Sequence, residues 1–163
     1  MAVHLHWPPK PMEGTDMPGD QLQRDTHEMH DEHQHLREIL QEIERALAER
    51  QARPPIVAGF VDDFSSHVLA HFEHEESDGY FAEIVTIAPR LNSQVEQLRA
   101  QHDQFRDLLD VMRQFARRGN GSNAWWCEME VHFRDFTQAF LAHEHAENSL
   151  FQEAYDRDIG AED

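Results

Sequence analysis

The chain has 163 residues, enough for one domain with a hydrophobic core, and carries a formal net charge of −18 at pH 7. Such a surface repels phosphates and anionic lipids, so the composition argues against nucleic-acid binding and against binding to a membrane surface. Mean hydropathy is low, at −0.75, and no apolar run approaches the ~18 residues of a membrane span. The single cysteine, Cys127, cannot form an intramolecular disulfide, and residues 1–10 lack the apolar stretch of a secretory signal, so we expect a cytoplasmic protein.

Residues 1–19 form the first predicted segment, an irregular N-terminal arm, because they hold four of the seven prolines and two of the seven glycines. Four stretches follow in which apolar residues recur at spacings of three and four, as in helices that bury one stripe in a bundle. The predicted helical segments are Asp20 to Ala52, Pro54 to Gly79, Leu91 to Ala116 with the Gly119-Asn120-Gly121 turn after it, and Trp126 to Leu150, with a short helical link over Tyr80 to Ala88.

Short connections between these long helices favour antiparallel neighbours. The sequence therefore predicts an all-α fold, an up-down-up-down antiparallel four-helix bundle over residues 20–155, followed by an acidic tail at 156–163. No stretch alternates apolar and polar residues well enough to predict a strand.

Six ionisable residues interrupt the four apolar stripes, in which Thr26 is the only other polar residue. They are His33, His71, Glu75, His102, His143 and Glu147. A single histidine in such a stripe is more often a hydrogen-bonded core residue than a metal ligand, but six ionisable residues together indicate a shared site. Burying two carboxylates in an apolar layer costs several kcal/mol each unless they are paired, so the arrangement is hard to explain without a cation.

The positions of these residues along the helices predict that they meet at one level of the bundle. His33 lies 20 residues before a turn near residue 53 and His71 lies 18 after it, which is about 30 and 27 Å at about 1.5 Å per residue. Around the second turn, near residue 120, His102 and His143 lie 18 and 23 residues away. All six side chains are therefore predicted to converge on one layer near one end of the core.

The chain also repeats its own pattern, with one histidine followed by a His-x-x-x-Glu motif in each half. The offset between equivalent residues is 69 for the first histidine and 72 for the motif. Duplication of a two-helix unit produces such a pattern, and it predicts a pseudo-twofold axis through the site.

The residue types in this six-residue set indicate a dinuclear metal centre. His and Glu four residues apart lie on one helix face and can bind one metal together or two neighbouring metals. Two imidazoles and one carboxylate from each half form the ligand set of non-haem Fe(II) with open positions for O₂, and each carboxylate has two oxygens with which to bridge. A structural zinc needs only four ligands. Mn or Zn would accept the same groups, and a metal-free hydrogen-bond network of His and Glu is the remaining alternative.

With the local string Asp31-Glu32-His33-x-x-Leu36, the spacing of the six residues resembles the hemerythrin-like (HHE cation-binding) family over about residues 22–152. The resemblance implies a four-helix bundle that holds two Fe ions in a non-haem, oxo- or hydroxo-bridged di-iron centre, with the two carboxylates bridging the irons. It also implies a small oxidant, such as O₂, NO or peroxide, as the ligand at an open position.

The third predicted helix departs from that of the oxygen-carrying hemerythrins, which have two histidines four residues apart at this place. Here Leu98 and Arg106 stand four residues to either side of His102, so we expect one iron to lack a protein nitrogen. The departure favours sensing, peroxide or NO handling, or iron handling over simple reversible O₂ carriage.

Two classes of function therefore remain open, with a third behind them: a module that binds or senses a small oxidant, a di-iron enzyme that turns over peroxide or another small oxidant, and a metal-free acidic structural bundle. Further residues close to the ligands in sequence could join the site, namely His67, His74 and Tyr80. The neighbouring acids Glu32, Asp103 and Glu144 are expected to be mostly surface charge, with contact to a ligand imidazole as the alternative.

Overall fold

The computed structural model describes residues 18–50, 52–77 and 79–159, and in these ranges the chain is helical with no strand. The elements are α1 (Pro18–Glu49), α2 (Pro54–Ser77), α3 (Tyr80–Ile87), a 3-10 turn (Pro89–Leu91), α4 (Asn92–Arg117) and α5 (Asn123–Ile159). The predicted all-α class is confirmed. The predicted arm lies outside the described residues as far as residue 17, so the division into arm, bundle and tail stays a prediction.

The four long helices form the bundle, in which α1 packs against α2 and α5, and α4 packs against the same two helices. Helices α1 and α4 are therefore diagonal to each other, as are α2 and α5. The α1–α2 and α4–α5 connections are short, whereas α2 and α4 are joined through α3 and the 3-10 turn, and consecutive long helices run antiparallel. The short helix α3 links α2 to α4, contacts all four long helices and closes one end of the core.

Two apolar clusters fill the interior, and the six-residue set predicted from the sequence falls between them. The larger cluster includes Leu36 and Leu40 of α1 and Phe105 of α4, while the smaller one, under α3, includes Met29 of α1 and Leu98 of α4. On α1 and α4 the buried histidine therefore follows a residue of the smaller cluster and precedes one of the larger. Along the bundle axis, apolar side chains therefore lie on both sides of the polar layer.

The ends of two helices differ from the predicted ends. Helix α1 ends at Glu49 rather than near residue 52, because Arg50 adopts a left-handed backbone conformation with φ of 51°. The Arg50 guanidinium then donates hydrogen bonds to Glu130 and Asn123 of α5. Helix α5 includes residues 156–159, which the sequence assigns to the tail, and the fully buried Ala154 anchors this last part of the helix.

The single cysteine, Cys127, is exposed on α5. The side chain of Leu22, the first residue of the predicted α1 stripe, lies outside the described part of the structure. Among the described helices, none combines the length and the apolar character needed to cross a bilayer.

A glycine in the connection between α4 and α5 gives a test of the packing at the other end of the bundle. A Cβ added at Gly119 would lie 2.7 Å from ring carbons of Trp125 and 2.9 Å from Cβ of Pro54. We expect Gly119→Ala to lower the free energy of unfolding by about 1–3 kcal/mol, because the added methyl group would over-pack this contact. The matched control is Gly59→Ala, in the exposed interior of α2 with open space around it, which should raise stability by about 0.5–1 kcal/mol. Urea denaturation followed by circular dichroism measures both, and equal shifts would contradict the packing described.

Candidate metal centre

All six residues of the predicted set lie in one buried layer, each with no more than 3% of its surface exposed. Their potential ligand atoms form two groups, and within each group these atoms lie within 4.8 Å of one another. The groups are His33, His71, Glu75 and Glu147, and Glu75, His102, His143 and Glu147. The two glutamates belong to both groups, so the structure brings all six residues together.

The histidines form two pairs whose ring nitrogens face each other. Nε2 of His33 on α1 lies 3.1 Å from Nε2 of His71 on α2. Nε2 of His102 on α4 lies 3.0 Å from Nε2 of His143 on α5. We call these pairs the His33 half and the His102 half of the centre, and each half joins two neighbouring helices.

The two carboxylates span the halves, with one oxygen directed to each. For Glu75, Oε1 lies 3.1 Å from Nε2 of His71, and Oε2 lies 3.1 Å from Nε2 of His102. For Glu147, Oε1 lies 2.9 Å from Nε2 of His143, and Oε2 lies 3.4 Å from Nε2 of His33. Each carboxylate thus directs one oxygen to each pair of imidazoles.

The buried oxygens of the two carboxylates test whether these residues fit metal ions. None of the four oxygens of Glu75 and Glu147 has a hydrogen bond of acceptable geometry, although all four are shielded from solvent. Leaving a buried charged group unpaired is strongly unfavourable. Cations between the imidazole pairs and the carboxylates would satisfy these oxygens, and imidazole with carboxylate is a donor set for first-row divalent metals. The residues of this layer fit metal cations.

Without metal, the layer attracts protons. Burial by itself lowers the pKa of His33 and of His102, but interaction with the Glu147 and Glu75 carboxylates outweighs it and raises both values to about 9. The pKa of His71 is also raised well above its usual value, because the attraction of Glu75 and other carboxylates exceeds the effect of burial. Burial raises the pKa of Glu75 and of Glu147, yet the surrounding imidazoles hold both below their usual range.

Three of the four imidazoles are held on their outer side by a residue from a neighbouring helix. Nδ1 of His71 lies 2.8 Å from Oε2 of Glu32, and Nδ1 of His102 lies 2.6 Å from Oε1 of Glu76. Nδ1 of His143 lies 2.8 Å from Oε1 of Gln101. A proton on Nδ1 donated to these oxygens leaves Nε2 free to bind a cation, which fixes both the tautomer and the ring orientation.

Glu76 and Gln101 were not predicted from the sequence, and the expectation of surface charge was wrong for two of the three neighbouring acids. Asp103 is exposed, as expected. Glu32 is half-buried between α1 and α2, and burial raises its pKa, but hydrogen bonds from two histidines lower it to about 2. Glu144 is fully buried. Each of the missed or misjudged residues directly precedes or follows a residue of the six in sequence, which is the signal that could have identified them.

The other candidates from the sequence lie outside both groups of ligand atoms. Nδ1 of His67 donates to the backbone oxygen of Asp63 within its own helix. Nδ1 of His74 lies 2.8 Å from Oε1 of Glu32, on the outer side of the layer. Tyr80 packs in the smaller apolar cluster against Phe151.

The residues four positions from His102 also take other roles. Leu98 is part of the smaller apolar cluster. Arg106 donates to Glu76 and Asp103. Within the described residues, α4 therefore offers the centre one nitrogen ligand, that of His102.

The raised histidine pKa values predict how the stability of the metal-free chain depends on pH. A histidine whose folded pKa is about 9 and whose unfolded pKa is 6.5 contributes stability that is complete below pH 6.5 and is lost as the pH rises through 9. Glu32, with a folded pKa of about 2, contributes above pH 4.5 and less as the pH falls towards 2. We expect the melting temperature of the chelated protein to be highest between about pH 4.5 and 6.5.

The measurement is a series of thermal melts in a metal chelator from pH 4 to pH 10. The double variant Glu75→Gln, Glu147→Gln serves as the comparison, because removing both negative charges removes the attraction that raises the histidine pKa values. A melting temperature that rises between pH 6.5 and pH 9 in the unsubstituted protein would contradict the prediction.

Comparison with known families agrees with this geometry. The model of the hemerythrin HHE cation-binding domain matches residues 24–155, which include all six residues of the centre. Comparisons with curated proteins and with solved structures give no match. Because the family match covers most of the chain, and the buried His and Glu side chains are grouped as a cation site requires, the chain belongs to the hemerythrin HHE cation-binding domain family.

Proposed function

We propose that the chain holds two iron ions at this centre and that it binds or senses a small oxidant such as O₂, NO or peroxide. The observation that carries the proposal is the position of the two carboxylates. Glu75 and Glu147 each direct one oxygen to each pair of histidines, which supports a site in which both would be shared by two ions. A single ion would leave one pair of imidazoles and two buried oxygens without a partner.

The protein ligands in the proposal are the six residues predicted from the sequence. The His33 half offers His33 and His71, the His102 half offers His102 and His143, and the glutamates are shared. Two nitrogens with shared carboxylates leave coordination positions open at each ion, as in non-haem iron sites that react with O₂. When bound, an iron pair supplies the capacity to bind a small oxidant and to exchange electrons with it.

The chain itself controls the surroundings of the site. The two apolar clusters above and below the layer keep water away from it. Glu32, Glu76 and Gln101 hold three imidazoles in the tautomer that leaves Nε2 free.

Metal content is the first test of the proposal. We expect the protein expressed with iron to contain two irons per chain, and Glu75→Gln to hold one or none, because the substitution removes the negative charge shared by both ions. The matched control is Asp103→Asn, which removes an exposed carboxylate next to His102 and should leave two irons. Iron is measured by plasma mass spectrometry, with circular dichroism to verify the fold.

Two results would refute the iron assignment. Full iron content in Glu75→Gln would show that this carboxylate does not hold the ions. Preferential uptake of Mn or Zn when all three metals are offered in equal amounts would replace iron by that metal, since the same ligands accept each of them.

Turnover of peroxide is the second candidate function, favoured by the single nitrogen that α4 offers to the centre. An additional open position is compatible with a reacting substrate as well as with a bound ligand. Exposure of the reduced protein first to O₂ and then to peroxide separates the two. We expect a persistent charge-transfer band without catalytic loss of peroxide, and sustained consumption of peroxide would favour the enzyme instead.

A further inference from the structure

The repeat within the chain shows where the two halves of the centre differ in their surroundings. At the offset of 72 residues that relates the two His-x-x-x-Glu motifs, Phe72 corresponds to Glu144. At the same offset Glu76 corresponds to Asn148. The ligands are repeated, but the residues next to them are not.

The His102 half is covered by aromatic rings. The ring of Phe72 stacks on the imidazole of His102, with centroids 4.0 Å apart and planes 13° apart, and Phe81 lies 5.7 Å from the same imidazole. On the outer side, Glu76 contacts Nδ1 of His102 and accepts a hydrogen bond from Arg106. Nδ1 of this imidazole is thus paired, and one face of the ring is covered by Phe72.

The His33 half has a buried carboxyl group in place of the aromatic ring. Glu144 is fully buried, and its Oε2 accepts a hydrogen bond of 2.9 Å from Nε of Arg37. Its Oε1 has no hydrogen-bond partner within the described structure, and neither does Nδ1 of His33. Buried polar atoms are almost always paired, so two unpaired atoms beside one half of the centre indicate a place for a polar molecule.

A cavity of about 580 Å³ lies against this side of the bundle. Its lining includes Arg37, the partner of Glu144, together with Asn148, which follows Glu147. His27 and His30 also line it and are exposed, so the cavity is open to solvent. The lining therefore extends from solvent to Arg37, and Glu144 lies buried directly behind it as the acceptor of its hydrogen bond.

We propose that small polar ligands reach the centre through this cavity at the His33 half, and that Glu144 and Arg37 form the polar inner end of the route. The chemical class that fits is a small molecule or anion with oxygen or nitrogen atoms at both ends, such as hydrogen peroxide. The terminal oxygen or nitrogen atoms of such a molecule can accept from Arg37, and a molecule with O–H groups, such as hydrogen peroxide, can also donate to Oε1 of Glu144. The inference rests on the proposed iron centre and adds to it the side of approach.

The test uses azide as the probe on the oxidised, iron-loaded full chain, with the association rate measured by stopped-flow absorbance. Glu144→Phe gives the His33 half the same residue type as Phe72, its equivalent in the His102 half. Asn148→Phe narrows the cavity and leaves Glu144 unchanged. We expect each to slow azide association by about tenfold or more, an increase in barrier of about 1.4 kcal/mol, with two irons retained. Leu141→Phe, an exposed position on the same helix, is the matched control and should keep the rate of the unsubstituted protein.

The outcomes separate this inference from the proposed function. If the unsubstituted protein lacks two irons, the proposed function itself is wrong. If it holds two irons and binds azide, but Asn148→Phe with two irons binds azide at an unchanged rate, the route is overturned while the iron centre stands. Because Asn148 is half-buried at the cavity wall, this variant gives a result even where Glu144→Phe does not fold.

Discussion

The burial of two carboxylates, Glu75 and Glu147, is the constraint on which the rest of the structure depends. Both are shielded from solvent between apolar clusters, where an uncompensated charge costs several kcal/mol. The groups that compensate them come from all four long helices, one imidazole from each. The glutamates therefore connect α1, α2, α4 and α5 through one layer, and the helices must keep a common height for that layer to form.

The same two carboxylates explain why the layer attracts protons in the metal-free chain and why it fits metal ions. They raise the pKa values of His33, His71 and His102, so the layer favours positive charge, whether protons or metal ions carry it. Protons satisfy the charge balance but leave both carboxylates without well-directed hydrogen bonds. Metal ions can satisfy charge and direction together, because each carboxylate oxygen is aimed at a pair of ring nitrogens.

Hydrogen bonds on the outer side of the layer connect each helix to the next one. Glu32 of α1 reaches the histidine of α2, Glu76 of α2 reaches that of α4, and Gln101 of α4 reaches that of α5. The last hydrogen bond, from α5 back to α1, is made to a different residue type: Glu144 accepts from Arg37 of α1, and Nδ1 of His33 has no partner within the described residues. The two halves of the repeat thus supply the same ligands but different neighbours, and the centre has one half closed by aromatic rings and one half with buried polar groups.

Helical periodicity was enough to predict the bundle, and the six polar positions inside the stripes were enough to predict which side chains share a layer, because a residue's place on a helix fixes both its face and its height. The sequence by itself determined the fold class and the membership of the cluster. It could not determine the roles of Glu76, Gln101 and Glu144, which stand one residue away from the six, at positions that are surface on an isolated helix. Only the packing of a neighbouring helix decides whether such a side chain meets solvent, an imidazole or an arginine.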